Sequence, residues 1–283
     1  MAAGVSTGLW VFGYGSLCWN PGFEFEKSCI GFIRGYKRRF SQGNTFHRGT
    51  HEKPGRVATL IEDKDGTVWG RAFLITGEAA LNYLAERECK IGGYKTIFAP
   101  VFSMKESSNP EFTEIDDFVE MDFALNLWRS DENDNKRKRT LSLDSEEEIR
   151  PSTSNDNNNL PRLCTKMGLN DNDFEQVTQA AIVYIATPDN EHWMGDAKVP
   201  TLAHQICSTS GQNGHNIDYV LNLAKFVREN CPFEADYHLF ELEQEILKIS
   251  PEHECAFYEK LDVQTVRQNE AAAVLVQQQQ DSN

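Results

Sequence analysis

The stretch Leu9–Trp19, read as LWVFGYGSLCW, constrains this chain more than any other. Its apolar run is that of a buried strand, broken in the middle by glycine. Two glycines around a tyrosine do not belong inside such a strand, because glycine weakens it unless backbone must come close to something. Leu9–Trp19 therefore predicts a core strand that ends at Gly13-Tyr14-Gly15-Ser16. That tetrapeptide suits a tight turn, or a nest of backbone N–H groups for a carboxylate or a developing oxyanion. It has no Walker lysine and no GxGxxG spacing, and Ser16 lacks the GxSxG elbow of a serine nucleophile.

The remaining 283-residue composition narrows the partners. Hydrophobic residues make up 40% of the chain, enough for a core, while 28 basic against 43 acidic residues leave a net charge of −15. Such a surface does not attract nucleic acid or an anionic membrane. The seven cysteines, at 18, 29, 89, 164, 207, 231 and 255, are scattered with no CxxC pair, as expected of reduced thiols rather than a disulfide framework or zinc site. Met1–Thr7 lacks the charged and apolar regions of a signal peptide, and no apolar run reaches the roughly 20 residues a membrane helix needs. The expected location is the cytosol.

Up to Val101 the chain is dense in short β-like segments: Val11–Tyr14, Cys29–Ile33, Val57–Glu62 and Val68–Leu74. Asp63-Lys64-Asp65-Gly66 between the last two predicts a hairpin turn. The period then changes, and Ala80, Leu81, Leu84 and Glu88 fall at helical spacing within Gly77–Cys89, before Gly92-Gly93 stops the helix. A strand is expected near Ile97–Phe102. Residues 103–172 carry about half of the chain's excess negative charge and read as an insertion within a domain, with disorder over Ser130–Pro161 and a possible element at Phe112–Trp128. Lys136–Arg139 within it is a nuclear address or a solvated charge cluster, and Ser142 and Ser145 beside Glu146–Glu148 could accept phosphate. Ala180–Thr187 predicts a buried strand, followed by helices over Val199–Ser208, Asn216–Asn230 and Asp236–Ile249. The tail 249–283, ending in QQQQDSN, is expected to be frayed.

Among single residues, Glu88 stands out. It lies four positions after Leu84 and seven after Leu81, which points it along the apolar face. Partial desolvation would raise its pKa towards that of a useful general base, although most glutamates near helix ends are simply solvated. His47 and His51 flank Gly49 in a polar segment, a poor frame for helical metal ligation. Cys18 and Cys89 have no supporting histidine pattern and read as core or incidental thiols.

Taken in order, the motifs resemble those of the ChaC-type γ-glutamylcyclotransferases. The matching pieces are Tyr14-Gly15-Ser16-Leu17, Arg38-Arg39-Phe40-Ser41-Gln42-Gly43, His47-Arg48-Gly49, Pro54-Gly55-Arg56-Val57 and Val68-Trp69-Gly70. Arg87-Glu88 and Gly92-Gly93-Tyr94 follow, then Tyr184-Ile185, Asp189-Asn190, Gly214, Asn216, Tyr219, Glu234-Ala235-Asp236 and His238-Leu239-Phe240. The resemblance spans about 9–102 and 178–248 and implies one α+β domain over 9–248, a small mixed or antiparallel β-barrel flanked by helices and interrupted by the acidic insertion. It implies a cofactor-free lyase that degrades glutathione to 5-oxoproline and cysteinylglycine. Glu88 would be the general base and acid, the backbone of Val11, Phe12, Gly13, Tyr14, Gly15, Ser16 and Leu17 would bind the γ-glutamyl group, and Tyr219 and the Gly92–Tyr94 turn would serve the glycyl end and closure. The alternatives are a cyclotransferase for other γ-glutamyl peptides or amines, and a non-catalytic protein that binds other proteins through the insertion.

Overall fold

The computed structural model describes residues 8–91, 93–105, 169–231 and 236–253, the side chains of residues 90 and 91 excepted. Phe112–Trp128, Lys136–Arg139, Ser142, Ser145, Cys164, Gly92, Glu234, Ala235, Cys255 and the tail beyond residue 253 lie outside the described residues. The chain divides into two units, Met1–Met104 with Asn159–Asn283, and Lys105–Asn158. All elements below belong to the first.

Five strands form the centre: β1 (Leu9–Gly13), β2 (Lys27–Asn44), β3 (Gly55–Ile75), β4 (Lys95–Met104) and β5 (Phe174–Ile185). They close into a barrel in the order β1-β3-β2-β4-β5. Neighbours are antiparallel except β5 and β1, which run parallel with Val11 opposite Ile182 and complete the ring. Closure removes the free edges that an open sheet would expose. Phe32, Trp69 and Phe174 meet in the core with ring centroids 5.0 and 5.2 Å from Phe32.

The apolar run at the start of the chain has a direct cause. On β1, Phe12 packs into the main core, whereas Val11 packs on the opposite side with Phe73, Ala80, Leu84 and Ile182. Both faces of the strand are covered, so neither needs a polar position. The helix α1 (Glu78–Leu84) supplies the second cover through Ala80 and Leu84. On the other side α2 (Val199–Cys207), α3 (Asn216–Asn230) and α4 (Tyr237–Ile249) bury Leu202, Ile206, Ile217, Leu223, Leu239 and Ile246 against the main core. A two-residue ribbon, β6 (Ser210–Gly211) with β7 (Gly214–His215), leads into α3. Among the described residues no helix is long and apolar enough to cross a membrane.

Two local expectations change. Asp63–Gly66 does not turn a hairpin, because the stretches on either side of it pair with β2 and not with each other. Arg34 faces Thr67 and Tyr36 faces Glu62, so the four residues bulge from β3 opposite Gly35. Asp63 organises the bulge by accepting the Asp65 N–H at 3.2 Å and pairing with Lys37 at 3.0 Å. The predicted helix over Gly77–Cys89 is also divided. α1 ends at Leu84 and the chain continues as a π-helical segment over Ala85–Ile91. Such segments are rare and gather at functional sites. At the borders of the expected insertion, β4 runs on through Met104 and Asn170 caps a short turn before β5.

One buried cation ties these pieces together. Arg38, only 2% exposed, donates from Nε to the Tyr14 carbonyl at 3.0 Å and from Nη2 to the Trp69 carbonyl at 2.7 Å, and its Nη1 pairs with Asp236. Asp236 in turn caps α4 by accepting the Leu239 N–H at 3.1 Å. Replacing one member of a buried pair leaves the other charge uncompensated, at a cost of about 3–5 kcal/mol. Arg38→Met should therefore lower the unfolding free energy in urea by about that amount, and adding Asp236→Leu should recover part of the loss.

Candidate active site

The glycine-interrupted end of β1 lies at the bottom of a cleft of about 370 Å³, mouth included, lined by Phe12 to Leu17, Ala58, Glu88, Tyr94, Tyr184 and Tyr219. Ser16–Cys18 form a single 3₁₀ turn that no side chain caps. The opening N–H groups of a helical turn have no partner within it, so a ligand can accept from them. Arg38 holds the Tyr14 carbonyl from below, and Cys18 donates from Sγ to the Gly13 carbonyl at 3.2 Å. Burial pushes the Cys18 thiol up to about 12, which keeps it protonated. It is a structural donor and not a nucleophile.

Gly15 is required for space. A Cβ there would stand 2.8 Å from the Tyr219 hydroxyl. That hydroxyl also accepts the Ala58 N–H at 3.1 Å, and the Tyr219 ring meets Trp19 edge-on with centroids 5.5 Å apart. Tyr14 donates to the Tyr184 carbonyl at 2.5 Å, which fixes the loop to β5. Burial raises the pKa of all four cleft tyrosines. Tyr184 and Tyr219 are pushed to about 12, and Tyr14 and Tyr94 stand well above the ordinary phenol value. A phenol of ordinary pKa is already protonated at neutral pH, and these shifts only widen that margin, so the cleft is walled by phenolic O–H groups.

Glu88 sits across from the loop on the π-helical segment, its side chain 15% exposed. Burial raises its pKa above the usual carboxylate range, against the opposing pull of Arg87. Arg87 joins the two halves of the site. Its Nε lies 3.0 Å from Glu88 Oε1, its Nη2 donates to Ser16 Oγ at 2.7 Å, and its Nη1 reaches the Asn20 and Pro21 carbonyls at 3.2 Å each. Ser16 Oγ is therefore an acceptor for a cation and has no base arranged to activate it. Tyr94 follows Gly93, a residue at φ +62, and its N–H donates to the Glu88 carbonyl at 3.0 Å.

Of the residues singled out from sequence, Phe12, Gly13, Tyr14, Gly15, Ser16, Leu17, Glu88 and Tyr219 line one cleft. Val11 does not; its side chain is buried under α1. Tyr94 and Tyr184 complete the wall, and Arg38, Arg87 and Asp236 hold the loop. The chemistry of Arg38 and Asp236 was invisible in the chain because the two partners are 198 positions apart. His47 and His51 do not line the cleft, and His51 borders a separate surface pocket with His192 and Trp193.

Comparison with known proteins agrees with this architecture. A family profile described as "ChaC-like protein" matches residues 9–145 and 148–249. A protein of Danio rerio named glutathione-specific gamma-glutamylcyclotransferase 1 is 38% identical over 250 residues, covering 87% of this chain and 92% of that protein. The Homo sapiens protein of the same name is 34% identical over 234 residues, covering 82% of this chain and 75% of the relative. Among solved structures, a yeast γ-glutamyl cyclotransferase described as specific to glutathione shares the fold, with a TM-score of 0.56 at 24% identity over 85% of this chain and 96% of that one. The closed barrel, the YGSL loop and the facing Arg87-Glu88 pair are thus set in a chain that belongs to the ChaC-like family.

Proposed function

We propose that the protein degrades glutathione by intramolecular cyclotransfer, releasing 5-oxoproline and cysteinylglycine. The observation that carries this most directly is the placement of a desolvated carboxylate, Glu88, opposite the uncapped YGSL turn in one small cleft. The names of the relatives point to the same substrate.

The reaction needs little from the protein beyond shape and proton transfer. The substrate's α-amine attacks its own γ-carbonyl, forming a five-membered lactam as the γ-amide C–N bond breaks. Two protons leave the α-ammonium and two arrive on the departing nitrogen, so no water is consumed. Glu88 is the base that takes a proton from the attacking amine and the acid that returns one to the leaving nitrogen. Such general acid–base catalysis contributes roughly 10²–10⁴-fold. The N–H groups of the YGSL turn hold the γ-glutamyl carboxylate and polarise the carbonyl. The protonated tyrosines other than Tyr14, whose O–H is given to the Tyr184 carbonyl, offer further donors in a site of low dielectric, where each counts for more than in water. Folding the substrate into a near-attack shape adds to this effect. Tyr219 and the Gly93–Tyr94 turn border the end of the cleft where the cysteinylglycine part would lie.

A single catalytic domain over 9–248 with a tail from 249 to 283 fits this function, as does a cytosolic setting, in which the free thiols of Cys18, Cys29, Cys89, Cys207 and Cys231 stay reduced. The net charge of −15 argues for a small-molecule partner and against nucleic acid or anionic membrane. The acidic insertion is left as a surface for protein partners.

Glu88→Gln should abolish 5-oxoproline release from glutathione, measured chromatographically together with cysteinylglycine, and retained activity would exclude the mechanism. The same variant should be at least as stable as the wild type at neutral pH. A carboxyl whose pKa is raised on folding binds its proton more tightly in the native state, so its contribution to stability falls as pH rises. In the wild type the acidic limb of the kcat/KM profile should lie above the ordinary glutamate range, because Glu88 serves as a base only once ionised. Gly15→Ala should keep the fold yet lower kcat/KM about a hundredfold, since the new methyl displaces the Tyr219 hydroxyl.

A further inference from the structure

The segment after β5 carries an asparagine, outside the cleft, whose side chain ties three segments of chain together. Asn190 Oδ1 accepts the His192 N–H at 2.8 Å and the Gln42 side-chain N–H at 3.1 Å, while its Nδ2 donates to the Gly93 carbonyl at 2.8 Å. The backbone N–H of His192 can only donate, which fixes the amide with oxygen towards His192 and nitrogen towards Gly93. The base of this bracket is firm. Gln42 is fully buried on β2, the Gly43 N–H donates to the His192 carbonyl at 2.8 Å, and the Met194 N–H donates to the Ser41 carbonyl at 2.9 Å.

What the bracket holds is the turn that bears Tyr94. Gly93 adopts φ +62, a conformation open chiefly to glycine, and a Cβ there would lie 3.0 Å from Asn190 Nδ2. On the far side of Tyr94, Lys95 Nζ pairs with Asp189 at 2.5 Å, so adjacent residues of one loop grip both neighbours of Tyr94. The lysine and aspartate are both largely exposed, and such a pair contributes little. The amide bond of Asn190 is the directional one. Tyr94 in turn lines the cleft and donates its N–H to the Glu88 carbonyl.

We propose that Asn190 is a positioning residue for the cyclotransfer reaction, one that clamps the Gly93–Tyr94 turn and through it sets the Tyr94 ring and the Glu88 backbone in the cleft. This rests on the proposed function of that cleft. Asn190 touches no reacting atom. It contributes by holding a turn that carries one cleft residue and is hydrogen-bonded to another, and misplacement of about 1 Å at such a point is enough to cost catalysis two orders of magnitude.

The substitution Asn190→Asp separates positioning from general stability. It keeps an acceptor for His192 and Gln42 but turns an oxygen towards the Gly93 carbonyl, so attraction becomes repulsion. In the full-length protein kcat for glutathione should fall roughly tenfold to a hundredfold. KM should stay close to wild type, the melting temperature should hold, and hydrogen exchange at the Tyr94 amide should quicken. Gly93→Ala, which unseats the same turn from the other side, should reproduce the pattern and serves if the first variant does not fold. An unchanged kcat in both variants, unchanged exchange at Tyr94, or a kcat loss matched by loss of folded protein would overturn the assignment. Should the wild type release no 5-oxoproline, the proposed function fails, while the exchange measurement still decides whether Asn190 clamps the turn.

Discussion

The buried guanidinium of Arg38 is the interaction on which the rest of the structure depends. It sits where the catalytic-side loop, two long strands and the last helix come closest, and it bonds to all of them: the Tyr14 and Trp69 carbonyls and the Asp236 carboxylate. Taking an isolated charge out of water is costly, and only a partner of opposite charge with further hydrogen bonds offsets the cost. The planar fork of arginine can meet three acceptors in different directions, which the point charge of lysine cannot do. The loop after β1 is therefore anchored from inside the molecule as well as by its own bonds.

Closure of the barrel then arranges the chemistry. With β1 flanked by β3 and β5, its end opens between strands that supply Ala58 and Tyr184 to the cleft wall. Helix α3 brings Tyr219 from one side, and the π-helical segment brings Glu88 from the other. Arg87 spans the gap to Ser16. The Glu88 carboxylate and the protonated phenols of the cleft wall thus come from different elements. Among the described residues of the cleft neither a cysteine nor a serine is placed as a nucleophile, in keeping with a reaction whose nucleophile belongs to the substrate.

How much of this was readable in the chain follows from the range of each interaction. The three C-terminal helices and β5 were legible because apolar spacing is a local signal, and the doubly covered β1 announced itself as an unbroken apolar run. Glu88 could be placed on an apolar face by spacing from Leu84, although the π-helical widening could not. Asp63–Gly66 misled because its composition is that of a hairpin turn, and only the shared pairing of both flanks with β2 makes it a bulge. Asn190 and Asp236 fall within the matched motifs, and Asp236 opens a predicted helix, but nothing local announced what either residue holds. The partners that matter, Gly93 and Arg38, lie 97 and 198 positions away, and only the assembled fold assigns the two residues a task.

The parallel contact between Val11 and Ile182 has a kinetic meaning. Pairings between distant residues form late, since the entropy of closing the intervening chain must be met before the contact rewards it. Residues 12–17 precede the strand that closes the ring by some distance along the chain, and the aspartate that steadies their arginine comes later still. During synthesis the loop after β1 thus lacks these two partners until β5 and Asp236 have been made. The cleft is therefore completed near the end of folding, together with the docking of α4, and a truncated or stalled product would lack it.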